Sequence, residues 1–140
     1  IMLIDGEDAG RDDHKDEWLI GSKYYSAHPL FDIPDVCILI DMIGDADLNI
    51  HREGYSEIFN APLNGKVFAI AELFGVKSFK NNVKYFIDDD HLPLNNIGYK
   101  CIDIIDFDYE YWHTPDDTPD KCSPASLADV GKVLMRVIYE

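Results

Sequence analysis

Val36-Cys37-Ile38-Leu39-Ile40 is an unbroken apolar run of strand length that stops on Asp41. A strand without polar alternation needs cover on both faces, the situation of a parallel strand between layers of helices. Residues 99–106 repeat the pattern around Cys101-Ile102-Asp103-Ile104-Ile105, and Ile1-Met2-Leu3-Ile4 reads as a further buried strand broken by Asp5-Gly6. Leu48-Asn49-Ile50-His51-Arg52 alternates instead, predicting a short and more exposed strand with His51 on the surface. Lys84-Tyr85-Phe86-Ile87 is a further apolar approach to an acidic cluster.

Helices are expected between these strands. Leu63, Val67, Ile70 and Leu73 or Phe74 fall at helical spacing, with Gly75 placed to end the helix. Ser22 is a candidate cap for a short helix through Tyr24 and Tyr25. Residues 92–97, closed by Gly98, form another. Ser123-Pro124 has cap and first-turn chemistry for a final helix whose apolar face is Leu127, Val130, Leu134, Val137 and Ile138. Strands alternating with helices give an α/β domain with a mainly parallel sheet.

At 140 residues and 46% apolar, the chain supports one hydrophobic core. A sequence that opens inside a buried strand is expected to be the carboxyl part of a single domain truncated at its N-terminus, with residues 1–140 in one unit. The 27 acidic and 12 basic residues give a formal charge of −15, which argues against nucleic acid or an anionic membrane as partner. No apolar run has the length of a membrane span and no charged-then-apolar leader is visible, so the sequence assigns no compartment. Cys37, Cys101 and Cys122 lack C-x-x-C spacing; Cys37 and Cys101 are expected to pack as small hydrophobes.

The acids are not spread evenly. Asp5-Gly6-Glu7-Asp8, Asp41 and Asp88-Asp89-Asp90-His91 each follow an apolar run, where open α/β sheets place their ligands. The run from Arg11 to Glu17 reads as solvated surface. Adjacent carboxylates repel one another, and a cation or a set of donors must compensate. A helix N-terminus explains Asp88 to Asp90 as well. Among the histidines, His113 in Tyr111-Trp112-His113-Thr114-Pro115-Asp116-Asp117 follows a buried strand and adjoins an aromatic ring, which makes it the best nitrogen ligand. His14, His28 and His51 lack such a setting.

The ordered set Asp5-Gly6-Glu7-Asp8, Gly21-Ser22, Leu39-Ile40-Asp41-Met42-Ile43-Gly44, Asp89-Asp90-His91-Leu92-Pro93 and Trp112-His113-Thr114 with Asp116-Asp117 resembles the glutaminyl cyclase branch of the zinc aminopeptidase family. That resemblance implies a three-layer α/β/α fold of the zinc exopeptidase kind. It implies Glu7 as the acid/base, Asp8 and His113 as zinc ligands, Asp41 and Asp89 as proton-network carboxylates, and Trp112 lining the pocket for an N-terminal glutamine side chain. Peptide or protein N-termini would be the substrates. In the di-zinc aminopeptidases the position matching Asp41 binds a second metal, so one zinc ion goes with the cyclase and two with the peptidase. The family's first zinc ligand is an upstream aspartate not contained in residues 1–140, which leaves a non-catalytic module as a third reading.

Overall fold

The computed structural model describes residues 1–11 and 13–139. Among the described residues, four strands form two parallel pairs. β1 (Ile38–Asp41) pairs with β4 (Ile102–Ile105) in the register Ile38 to Ile102 through Asp41 to Ile105. β2 (Ile50–Glu53) pairs with β3 (Phe79–Tyr85), with register shifts on either side of Arg52, and β2 packs beside β4.

Helices cover both faces of these strands. On one side α2 (Gly54–Leu73) and α4 (Pro124–Tyr139) bury Val67, Phe68, Ala71, Val130, Val133 and Val137 against Ile50, Ile102 and Ile104. On the other, α1 (Ile20–Ala27) packs on α3 (His91–Asn96), and Leu94, Tyr99 and Cys101 gather Ile4, Tyr25, Cys37, Leu39 and Ile97. This is the expected three-layer α/β/α arrangement. No helix among the described residues is long and apolar enough to cross a membrane.

Several local expectations are corrected. Residues 1–4 form no strand, and Ile1 and Leu3 are exposed, while Ile4, like Leu39, packs against the smaller core. Ser22 lies inside α1, buried, and its hydroxyl donates to the Leu19 carbonyl at 3.2 Å rather than capping the helix. The α2 helix begins nine residues before Leu63, because the Glu53 carboxylate accepts Tyr55 N at 2.8 Å and Ser56 N at 2.6 Å. Asn60 (φ −154°) and Pro62 break its early turns and hide the helical period.

Leu127 and Ile138 are exposed on α4, and Val133 takes their place in the core beside Val130 and Val137. His51 is not a partnerless surface group: its Nδ1 meets Asn82 Oδ1 and its Nε2 meets Asp108 Oδ2, both at 3.1 Å. Cys37 and Cys101 form a disulfide, with Cα atoms 4.4 Å apart, one position ahead of the paired Ile38 and Ile102. Parallel register brings together two cysteines 64 residues apart, which their spacing in sequence does not reveal. In the charged run, Arg11, Asp13, His14, Asp16 and Glu17 are exposed as expected; Asp12 lies outside the described residues.

Candidate metal centre and active site

Glu7 and Asp8 sit in a single turn of 3-10 helix (Glu7–Ala9) entered through Gly6, whose φ of 73° is left-handed. The Leu19 and Ile20 amides donate to the Glu7 and Gly6 carbonyls at 3.0 and 3.1 Å, docking this turn on the start of α1. That approach requires Gly21, since a Cβ there would lie 2.2 Å from the Asp5 carbonyl oxygen. Asp41 ends β1 beside Met42, at φ 48°. Asp89 lies in the loop between β3 and α3, and Trp112 and His113 in the loop after β4, with His113 also left-handed at φ 57°.

These four segments converge. Glu7, Asp8, Asp41, Asp89, Trp112 and His113 all line one cavity of about 640 Å³, together with Trp18, Tyr55, Phe86, Ile87 and Phe107 among others. A cavity of this size suits a small ligand or one residue of a larger one. His113 Nε2 stands 3.1 Å from Asp8 Oδ1, so an imidazole and a carboxylate from opposite ends of the chain meet at the cavity wall. The Trp112 indole stacks on His113 with ring centroids 4.2 Å apart and contacts Phe107 at 5.1 Å.

The cavity is strongly acidic: Glu7, Asp8, Asp41, Asp88, Asp89 and Asp117 line it, and among the described residues no lysine or arginine does. Burial, the hydrogen bond with Asp8 and the charges of Asp8, Asp89 and Asp41 push Glu7 up to about 8. Asp89, 4% exposed, is raised to about 6 by burial and then by the charges of Asp41 and Asp90. Burial raises Asp41 as well, with the charges of Asp8 and Asp90 adding to it. One Asp89 oxygen, Oδ2, is buried without a hydrogen-bond partner.

Carboxyl groups in this state favour a cation in their midst. Asp8 and His113 are donors of the type zinc takes, and they fit as two of its ligands. Among the described residues no three His, Cys, Asp or Glu side chains group closely enough to hold a metal by themselves.

Trp18, Glu53 and Asp103 are not among the site residues read from the sequence, and His91 enters there only within Asp88-Asp89-Asp90-His91. Trp18 stacks toward His113 at 6.1 Å and packs over Gly10, where a Cβ would lie 2.2 Å from the indole. Glu53, His91 and Asp103 form a buried cluster behind the cavity. An aspartate inside the apolar run Ile102-Asp103-Ile104-Ile105 was the available signal for the last of these.

The fold is a three-layer α/β domain whose turns and loops bring carboxylates and a histidine to one cavity. The chain belongs to peptidase family M28, whose profile matches residues 1–138. It is similar to a Bacteroides thetaiotaomicron glutaminyl cyclase solved with N-acetylhistamine, at 35% identity over 99% of this chain and 52% of that one, with a TM-score of 0.90. A leucine aminopeptidase precursor from the same organism is 34% identical over 99% of this chain and 51% of that one, at a TM-score of 0.89. A Zn-dependent exopeptidase from Parabacteroides distasonis is 27% identical over 99% and 53%, at a TM-score of 0.92. The chain therefore spans about half the length of the structures it matches. No match was found among curated proteins.

Proposed function

We propose that residues 1–140 are the carboxyl part of a zinc-dependent catalytic domain that converts the N-terminal glutamine of peptides to pyroglutamate with release of ammonia. The observation that carries this reading is the aromatic wall: Trp112 lies on His113, beside Asp8, in the cavity that Glu7 lines. A flat indole next to a ligand pair suits the methylenes and planar amide of a glutamine side chain. The similarity to glutaminyl cyclases supports it.

Asp8 and His113 would hold the zinc, with a further ligand from outside residues 1–140. Zinc, when bound, polarises the substrate's γ-amide carbonyl. Glu7 accepts a proton from the substrate α-amine as its nitrogen bonds to the side-chain amide carbon, Cδ. The same carboxyl then returns that proton to the departing amide nitrogen as the carbon–nitrogen bond breaks, and ammonia leaves. A carboxyl held near 8 exchanges protons readily close to neutral pH. Asp41 and Asp89 face Glu7 as charges and keep its proton available. Trp112 and Phe107 exclude water from one side.

The second reading, a zinc aminopeptidase, is favoured by the carboxylate of Asp41 in the same cavity and by the aminopeptidase and exopeptidase neighbours. There Glu7 would act as base toward water. The full natural protein decides between them: the cyclase releases ammonia from a Gln-initiated peptide and carries one zinc per chain. Glu7→Gln lowers that rate by about 10²- to 10⁴-fold. Cleavage of other N-terminal residues without ammonia, at two zinc ions per chain, would establish the peptidase instead.

A further inference from the structure

Behind the cavity, Glu53, His91 and Asp103 are each at most 1% exposed, a concentration of ionisable groups that packing alone does not call for. The Glu53 carboxylate ends β2 and is committed on both oxygens. Its Oε1 accepts Tyr55 N at 2.8 Å and Ile87 N at 3.2 Å, and its Oε2 accepts Ser56 N at 2.6 Å and Ser56 Oγ at 2.7 Å. Burial would raise this carboxyl, but the His91 imidazole nearby and the Ser56 donors hold it at about 2. His91 Nε2 lies 3.4 Å from Glu53 Oε2, and its Nδ1 lies 3.9 Å from Asp103 Oδ2. Ser56 Oγ in turn accepts the Asp103 amide at 2.8 Å, so the cluster spans β2, α2 and β4.

Ile87 and His91 are the two ends of the loop that carries Asp88 and Asp89 into the cavity. One carboxylate therefore touches both ends of that loop, through the Ile87 amide and the His91 ring. Within it, Asp89 is fixed by its own neighbours: Oδ1 accepts Asp90 N at 2.5 Å, and its carbonyl accepts Leu92 N at 2.9 Å. The direction of the Asp89 side chain then follows from where the loop's two ends are held.

We propose that Glu53 and His91 form a clamp that positions the Asp88–Asp89 loop, making both positioning residues for the reaction at Glu7. Neither touches substrate. Glutamine at position 53 offers one acceptor oxygen for donors that now use two, and asparagine at position 91 is too short to reach both Glu53 and Asp103. Both ring nitrogens of His91 and both oxygens of Asp103 are buried without hydrogen bonds, so the cluster is held by the ring's place between two carboxylates.

The test uses the full natural protein with zinc, as wild type, His91→Asn and Glu53→Gln, on whichever substrate the wild type turns over. Its kinetic arm rests on the enzymatic reading above; its crystallographic arm does not. The clamp predicts that kcat per zinc-loaded site falls on the order of 10- to 100-fold in each variant, with KM changed less than about threefold. It also predicts that the pH dependence of kcat moves and that the double variant is no worse than the poorer single one. A lower melting temperature with unchanged kcat and pH profile would make the cluster mere packing and overturn the proposal. Crystal structures of the variants give the second arm: Asp89 displaced supports the clamp, and Asp89 in place overturns it even if the protein proves inactive on every peptide. Should His91→Asn fail to fold, Glu53→Gln alone carries both arms, since it leaves the imidazole in the core.

Discussion

The two faces of the β1 and β4 strands are built from the same residues in alternation and have opposite chemistry. Ile102 and Ile104 point into the α2/α4 side, where they join an apolar cluster in which Phe68 meets Phe79 edge-on at 5.4 Å. Asp103 points the other way, toward His91, on the side where α1, α3 and the long loops leave six carboxylates around a cavity. The first face is held mainly by apolar contact, with the buried Asn64 amide donating to Glu57. The other holds buried oxygens of Asp89, Asp90 and Asp103 without partners and several carboxyls pushed upward. Stability is concentrated on the first face and stored as electrostatic strain on the second, the usual division between a scaffold and a site.

Loss of packing on the scaffold face has the largest expected effect. Phe68→Ala opens a cavity in the α2 core and costs about 3–5 kcal/mol of folding free energy, read by denaturant unfolding of the natural protein. The catalytic parameters of the molecules that stay folded should not change; a proportionate fall in kcat would show that the two faces are coupled. The site face depends instead on a covalent tie. Cys37–Cys101 closes 64 residues of chain, and Cys37→Ala with Cys101→Ala is expected to cost about 4 kcal/mol. A loss under about 1 kcal/mol would mean that the smaller α1/α3 core holds the strand pair without it.

What was legible in the sequence follows the same division. Unbroken apolar runs announce strands covered twice, and the acids at their ends announce a cavity, so Glu7, Asp8, Asp41, Asp89, Trp112 and His113 could be collected before any coordinates. The meeting of Asp41, Asp89, Trp112 and His113 follows from parallel strands, which point their carboxyl ends the same way, while Glu7 and Asp8 arrive on a turn docked against α1. Features that depend on a neighbour in space were not legible. Ile1 to Ile4 has the composition of a strand, but pairing is a property of two segments and composition of one. The disulfide depends on the β1/β4 register. Glu53 is not singled out in the sequence, and its position at the head of α2, beside Ile87 and His91, is what makes it a buried cap.

Asp89 offers a direct measure of the strain on the site face. Its carboxyl is raised from an ordinary 3.8 to about 6, chiefly by burial. Between those two pH values the folded protein keeps a proton that the unfolded chain has released, so the metal-free fold loses stability as pH rises across that window. Below about 3.8 both states are protonated and the penalty vanishes; above about 6 it is present in full, at about 3 kcal/mol. Asp89→Asn removes the charge while its side-chain oxygen can still accept the Asp90 amide. The metal-free variant should therefore be more stable than the wild type at pH 7.5, by up to about 3 kcal/mol, and indistinguishable from it near pH 3.5. Urea unfolding at the two pH values checks both halves. Zinc should narrow the gap at pH 7.5, because a cation in the cavity stabilises the ionised Asp89 that the variant lacks. A variant less stable than the wild type at pH 7.5 without metal would show that Asp89 holds the fold together and is not carried by it at a cost.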